Sequence, residues 1–159
     1  LLSLCETVGM RLRRDGQAGS CVTIQLRTSE FETWSHQMRL ASATNVTGEL
    51  YQAACSLLDQ AWDRKTPLRQ LGVSVTQLAD GTLRQYSLFD AADYARQEKL
   101  DTAVDALREK FGEGALFRAA LLHSDERMAG GLHKKRRTGI TKPIEDEAAR
   151  IRKKYGNND

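Results

Sequence analysis

In three stretches of the sequence, polar and apolar residues alternate, which places the polar side chains on one side of a predicted sheet. In each stretch the intervening residues are mostly apolar, as in a strand with one buried face. The polar set is Thr23, Gln25, Arg27, Thr33, Ser35, Gln37, Arg39, Gln70, Ser74 and Thr76. Hydroxyls and amides donate to phosphate oxygens, arginines add positive charge, and the set holds no carboxylate. The pattern predicts a surface for a nucleic-acid backbone or, equally, an ordinary solvated sheet face.

The sequence lacks the motifs of the common catalytic chemistries. It contains no phosphate-binding glycine loop, nucleophile elbow or zinc-protease helix motif. Residues 145–147 are all acidic, but they follow Pro143 at the start of a short helical pattern, where acids complement the helix dipole. The chain is therefore expected to be non-catalytic by itself.

The cysteines and histidines have no metal-ligand spacing. Cys5, Cys21 and Cys55 are odd in number and far apart, and no two of the three histidines lie four residues apart. We expect reduced, buried thiols in a cytoplasmic protein without a bound metal.

The 159 residues suffice for one domain with an extension, and charge separates the two. Residues 123–159 hold ten Lys and Arg against six Asp and Glu, whereas residues 1–122 hold fourteen against fifteen. The tail is predicted either to follow nucleic-acid phosphates, through residues 134–137, or to be solvated without a partner. No apolar run is long enough to span a membrane. The first residues lack an initiator Met and do not form a signal peptide, so we expect a piece of a longer protein.

Hydrophobic periodicity predicts helices and strands in mixed order. Helices are expected over residues 1–14, from a cap at Thr44 or Asn45 to residue 62, and over 97–111. Strands are expected over 21–27, 33–41, 67–76 and 115–122, with segment 85–89 after a turn at residues 80–81. The last helix is expected to face inward with Leu100, Val104, Leu107 and Phe111. The pattern indicates an α+β fold with an antiparallel or mixed sheet and helices packed on one face.

Three stretches, in order, carry a family resemblance. Residues 8–26 contain RLR at a helix end and then VTI in a strand, residues 67–74 read PLRQLGVS, and residues 100–121 contain AxDxLRxxFG followed by RA. They resemble the C-terminal "little finger" domain of Y-family translesion DNA polymerases (ImpB/MucB/SamB, DNA polymerase IV/V-like). The resemblance covers about residues 1–122. It implies a four-stranded α+β domain, with the family's first strand missing here. The basic tail over 123–159, defined by its charge, lies beyond the resemblance.

The resemblance also implies a role in damage tolerance and DNA repair. The little finger grips primer–template DNA by its phosphate backbone, beside a catalytic core that uses Mg²⁺ for nucleotidyl transfer. This chain lacks the palm carboxylates, so it is expected to need no cofactor and to be a non-catalytic part of a polymerase. Carried over residue by residue, the backbone contacts are Thr28, Ser29, Ser35, His36, Gln37, Arg69, Gln70 and Ser74; the strand pattern adds Arg27 and Arg39.

One of these positions departs from the family. Many relatives have an arginine between two serines where this chain has Ser35, His36 and Gln37. The charge supplied there is weaker and depends on pH. Strand alternation also turns His36 toward the core side of the sheet.

A second segment resembles the bacterial sliding-clamp-binding pentapeptide. It consists of Gln85, Tyr86, Ser87, Leu88 and Phe89, where the usual form is QL[SD]LF and Tyr86 is the departure. Leu88 and Phe89 would anchor in one apolar groove, with Gln85 in a smaller pocket. The other interpretation is an ordinary connector that packs into the core.

A different class of function also fits these features. The open sheet could dock a polymerase core or an accessory subunit without direct DNA contact. A steep salt dependence of DNA affinity would favour DNA binding, and a flat, weak one would favour the interaction module.

Overall fold

The computed structural model describes residues 1–81, 91–112 and 115–121. The elements, in chain order, are α1 (Leu2–Arg14), β1 (Gln17–Thr28), β2 (Thr33–Thr44), α2 (Thr47–Ala61), β3 (Leu68–Asp80), α3 (Ala91–Phe111) and a short 3₁₀ helix (Ala119–Leu121). The predicted positions of the first two helices and first three strands are confirmed. α3 begins six residues earlier than its apolar periodicity indicated.

The described strands form one antiparallel sheet in the order β2-β1-β3. β1 is central, and its Val22, Ile24 and Leu26 are fully buried. Directly opposed residues in antiparallel strands point to the same side of the sheet. The residues of β2 and β3 that pair with Val22, Ile24 and Leu26 therefore lie on the same side as these three. The alternation seen in the sequence therefore separates a core face from an open face.

The helices α1 and α2 cover the core face. Cys5 and Leu12 of α1 and Leu50 and Leu57 of α2 join the three β1 side chains in one apolar cluster. At the contact between these helices, a Cβ added to Gly9 would lie 3.0 Å from Thr47 Oγ1. The missing side chain lets α1 approach the first turn of α2 closely. The predicted α+β class, with helices on one face of an antiparallel sheet, is confirmed.

The predicted inward face of α3 is wrong. Leu100, Leu107 and Phe111 are 56%, 42% and 63% exposed, and Val104 is half-buried. Over residues 93–111 of α3, the buried side chains are Tyr94, Asp101 and Arg108, which repeat every seven residues and so share one side of the helix. The helix packs by a polar side.

Charged side chains form the contact of α3 with the other helices. Arg13 of α1 donates to both carboxylate oxygens of Asp105, with Nε at 2.6 Å and Nη2 at 3.1 Å. Arg108 and Arg118 both donate to Glu6 of α1, a carboxylate that is 3% exposed. Each buried charge thus has an opposite partner, as burial of ions requires.

Asp101 lies at the centre of this contact and caps α2. Its Oδ2 accepts the backbone N–H of Thr47 at 2.8 Å and a bond from Arg13 at 3.2 Å, while Oδ1 accepts from Arg118 at 2.8 Å. The predicted cap at Thr44 or Asn45 is therefore wrong. Thr44 accepts the N–H of Val46, and Asn45 donates to Gln17.

The predicted strand over 115–122 is also wrong for residues 115–121, which the structure describes. Residues 115–118 are irregular and Ala119–Leu121 is a single 3₁₀ turn. These residues are instead fixed by Arg108, which donates to the Leu116 carbonyl at 2.9 Å and 3.1 Å. Segment 85–89 and the tail 123–159 lie outside the described residues.

Candidate nucleic-acid interface

The open side of the sheet carries four rows of side chains that cross all three strands. Pairing aligns Thr23 with Gln37 and Ser74, and Arg27 with Thr33 and Gln70. The remaining rows are Gln25, Ser35 and Gly72, and Cys21, Arg39 and Thr76. We call these twelve residues the open face. The described helices pack on the opposite side, so the face is free of them.

The open face is hydrogen-bonding and cationic. Nine of its twelve members are uncharged threonine, serine, glutamine or glycine residues, and two are arginines. The remaining member, Cys21, is buried. Arg27 and Arg39 form no ion pair with any carboxylate of the described residues, and neither does the nearby Arg69. An unpaired guanidinium keeps its donors available for an anionic ligand.

The turn between β1 and β2 bounds the face at one end. The Phe31 N–H donates to the Thr28 carbonyl at 3.2 Å, and the Thr28 N–H donates to the Glu32 carbonyl at 3.0 Å. Thr28 itself is buried, and its hydroxyl accepts the Glu32 N–H. Its side chain therefore holds the turn, whereas Ser29 is exposed on it. Glu30 and Glu32 are exposed there too, so the acid-free surface ends at the turn.

A cluster of two arginines and one phenylalanine lies at this end of the sheet. The guanidinium carbon of Arg27 is 4.9 Å from the ring centroid of Phe31, and that of Arg69 is 4.7 Å from it. Both distances are within the range of cation–π contacts. We call Arg27, Phe31 and Arg69 the turn cluster.

Arg69 reaches the turn cluster through an irregularity in the pairing. Arg27 is opposite Gln70 and Thr28 is opposite Leu68, so the register passes over Arg69. An extra residue of this kind is a β-bulge, which turns a side chain away from the regular alternation. Strand alternation alone could not place Arg69, whereas the family resemblance did select it.

The predicted contact residues are thus divided by the structure. Ser35, Gln37, Arg39, Gln70, Ser74 and Arg27 share the open face, Arg69 and Ser29 adjoin it, and Thr28 is buried in the turn. His36 is exposed but is paired with Ile24 on the core side of edge strand β2. Phe31 was missed by the sequence analysis. The signal available was an apolar aromatic residue between Glu30 and Glu32 in a predicted link.

The shifted pKa values belong to groups away from the open face. Burial raises the pKa of the Cys5 thiol to about 11, so the thiol stays protonated in the core. A hydrogen bond with Cys55 raises the pKa of Tyr51. Backbone N–H groups of Thr66 and Lys65 lower the pKa of Asp63 in the loop after α2. None of these shifts creates an acid or base on the open face.

The described residues hold neither a metal-ligand cluster nor a membrane-spanning helix. Among them, no group of three or more His, Cys, Asp or Glu side chains is placed to hold a metal ion. None of the helices they form is both long and apolar enough to cross a membrane.

The fold and the open face define an α+β domain in which the described helices cover one side of the sheet and leave the other side uncovered. A family model described as the impB/mucB/samB family C-terminal domain matches residues 1–88. The chain belongs to this family of Y-family DNA polymerase C-terminal domains, as the resemblance of its sequence predicted.

Curated relatives agree with this assignment. The chain is 35% identical over 127 residues to DNA polymerase IV of Clostridium acetobutylicum, covering 80% of this chain and 32% of the relative. It is 37% identical over 125 residues to DNA polymerase IV 2 of Bacillus subtilis, covering 77% and 30%. DNA polymerase IV of Moorella thermoacetica is 36% identical over 131 residues, covering 82% and 32%. The chain spans about a third of the length of these relatives.

Proposed function

We propose that the open face binds the phosphate backbone of primer–template DNA as the non-catalytic little finger of a translesion polymerase. The observation that carries the proposal is the strand register, which gathers hydroxyls, amides and two arginines on one face. Within residues 1–81, 91–112 and 115–121, no helix covers this face and no carboxylate pairs with its arginines. Such groups donate to phosphate oxygens without reading bases, so the binding is expected to be independent of sequence.

The size of the face sets the strength of the contact. From Cys21 to Arg27 the four rows span about 20 Å, at about 3.4 Å per residue. That length matches about six base-pair steps of duplex DNA, each about 3.4 Å along the axis. Only a few phosphates of either strand fall within it. The face by itself therefore supports weak, salt-sensitive binding.

Single arginine variants test this assignment. Arg39→Ala and Arg69→Ala should each weaken binding to a labelled primer–template duplex, to the same degree for duplexes of unrelated sequence, because phosphates are common to all of them. Fluorescence anisotropy measures the dissociation constants. Arg14→Ala is the matched control, since Arg14 is an exposed arginine in the helix layer. Equal binding by all four proteins, or a loss confined to one sequence, would contradict backbone contact by the face.

We also propose that residues 85–89 tether the polymerase to a bacterial sliding clamp. The support is the likeness of QYSLF to the clamp-binding pentapeptide, together with its place in the chain between β3 and α3. A tether raises the local concentration of a weakly bound domain at the primer end. The two activities are therefore complementary.

Calorimetric titration into a bacterial sliding clamp tests the tether. The wild-type chain should show saturable binding that the double variant Leu88→Ala/Phe89→Ala loses. Leu100→Ala/Leu107→Ala is the matched control, because it removes two leucines that are exposed on α3. Binding that survives in the first variant, or the absence of binding by the wild type, would contradict the tether.

The whole polymerase supplies the chemistry in this proposal. The relatives are named DNA polymerase IV, and nucleotidyl transfer with its divalent metal is assigned to the complete protein rather than to this chain. The associated roles in translesion synthesis and DNA repair, and the predicted cytoplasmic location, are proposed on the same basis. The competing hypothesis, a face that docks another protein, predicts DNA affinity with little salt dependence.

A further inference from the structure

Phe31 has a backbone conformation that its side chain disfavours. Its φ is +69°, in the left-handed region where glycine is accepted without a steric cost. The residue follows a turn closed by Thr28, at the position where three-residue hairpin loops ordinarily place a left-handed glycine. A phenylalanine at this position strains the turn, and strained residues of this kind are concentrated at functional sites.

The ring of Phe31 has no role in the core. It is 55% exposed and is absent from the apolar cluster beneath the helices. Its close contacts are instead the guanidinium groups of Arg27 from β1 and Arg69 from β3. Arginines from two strands, β1 and β3, thus lie against one side chain.

The turn cluster also leaves one donor unused. The Nε of Arg27 is buried and has no hydrogen-bond partner among the described residues. Burial of an unpaired hydrogen-bond donor is unfavourable. The hydrogen bonds of the protein without ligand therefore do not explain why Arg27 is stacked on Phe31. Stacking fixes the plane of a guanidinium, so the terminal Nη donors of Arg27, rather than its buried Nε, are the ones offered to a phosphate.

We propose that Phe31 is a positioning residue that holds Arg27 and Arg69 as a paired phosphate-binding site at the turn end of the open face. This inference rests on the proposed function, because the ligand is a phosphate of the DNA backbone. Phe31 acts through the arginines: ordering two long side chains before binding removes an entropic cost from the association.

A set of variants at position 31 tests the proposal. Phe31→Gly suits the left-handed φ and removes the ring, whereas Phe31→Tyr keeps the ring. We expect Phe31→Gly to bind a primer–template duplex about fivefold more weakly, as loss of two exposed cation–π contacts allows, with a melting temperature no lower than that of the wild type. Phe31→Tyr should bind like the wild type.

A double-mutant cycle separates positioning from a general effect on the turn. In the Arg69→Ala background, Phe31→Gly should weaken binding clearly less than it does in the wild type, because one of its two arginines is gone. In the Arg39→Ala background its full effect should remain, since Arg39 lies three rows away from Arg27, at the other end of the open face.

The outcomes distinguish this inference from the proposed function. Wild-type affinity of Phe31→Gly, with weakened Arg69→Ala and Arg39→Ala, would overturn the positioning role and leave backbone binding by the face intact. Full additivity of Phe31→Gly with Arg69→Ala would overturn it as well. Unchanged affinity in both arginine variants would instead contradict the proposed function.

Discussion

At the scale of single residues, the least expected feature is the number of interactions that the Asp101 side chain makes. Its carboxylate is 4% exposed, pairs with Arg13 and Arg118, and accepts the first N–H of α2. It therefore joins α1, α2, α3 and the segment after α3. A neutral residue of the same size could cap the helix but could not balance two guanidiniums.

Asp101→Ala should destabilise the protein strongly. Removing one partner from a buried ionic network leaves the others uncompensated, which costs about 3 kcal/mol or more. Urea unfolding followed by circular dichroism measures the loss. Asp59→Ala is the matched control, because Asp59 pairs with Arg64 on the surface and such pairs contribute less than about 1 kcal/mol. Equal unfolding free energies for the two variants would show that the network does not stabilise the fold.

The residues of the open face were predictable, whereas those of the turn cluster were predictable only in part. Thr23, Gln37 and Ser74 fall on one face because a strand repeats every two residues, whatever its partners are. Phe31 depends on a backbone angle and on a bulge that brings Arg69 near, and neither has a periodic signal in the sequence. Asp101 falls within the predicted helix over residues 97–111, but its burial depends on arginines outside that helix.

At the scale of elements, α3 differs from the other helices in how it is held. α1 and α2 bury apolar stripes against the sheet, while α3 meets α1 through ion pairs and leaves Leu100, Leu107 and Phe111 exposed. The rule that an apolar stripe faces inward holds for α1 and α2. It was wrong for α3 because the surface that α3 contacts is charged, at Glu6 and Arg13.

An exposed leucine of α3 and a core leucine of α2 are predicted to respond differently to substitution. Leu107→Gln should change the free energy of unfolding by less than about 0.5 kcal/mol, as at other exposed positions. Leu57→Ala in α2 should cost about 3 kcal/mol, because Leu57 is in the core. Thermal or urea unfolding of both variants measures the contrast. A comparable loss in Leu107→Gln would mean that the apolar side of α3 is the buried one.

The start of α2 and the segment after α3 were also not predicted correctly from the sequence. The cap of α2 comes from Asp101, more than fifty residues away in sequence, so local capping preferences misplaced it. The segment after α3 was predicted as a strand from its apolar residues. It is fixed instead by the bonds of Arg108 to the Leu116 carbonyl, which leave Leu116 itself exposed.

At the scale of the whole molecule, charge is segregated between two layers. The arginines of the helix layer are mostly paired: Arg13, Arg14, Arg64, Arg108 and Arg118 each contact a carboxylate. Arg27, Arg39 and Arg69, on or beside the open face, contact none that the structure describes. The total charge of residues 1–122 is nearly balanced, but these three arginines without described carboxylate partners lie on or beside the open face. The proposed DNA binding depends on these arginines.

The salt dependence of DNA affinity tests that account most directly. The dissociation constant for a primer–template duplex should be measured over a series of salt concentrations, for the wild type, Arg14→Ala and the triple variant Arg27→Ala/Arg39→Ala/Arg69→Ala. Each phosphate contact contributes about 0.9 to the slope of log affinity against log salt, so the triple variant should lose about 2 to 3 from the slope while Arg14→Ala keeps it. An unchanged slope in the triple variant would show that the open face does not bind the DNA backbone.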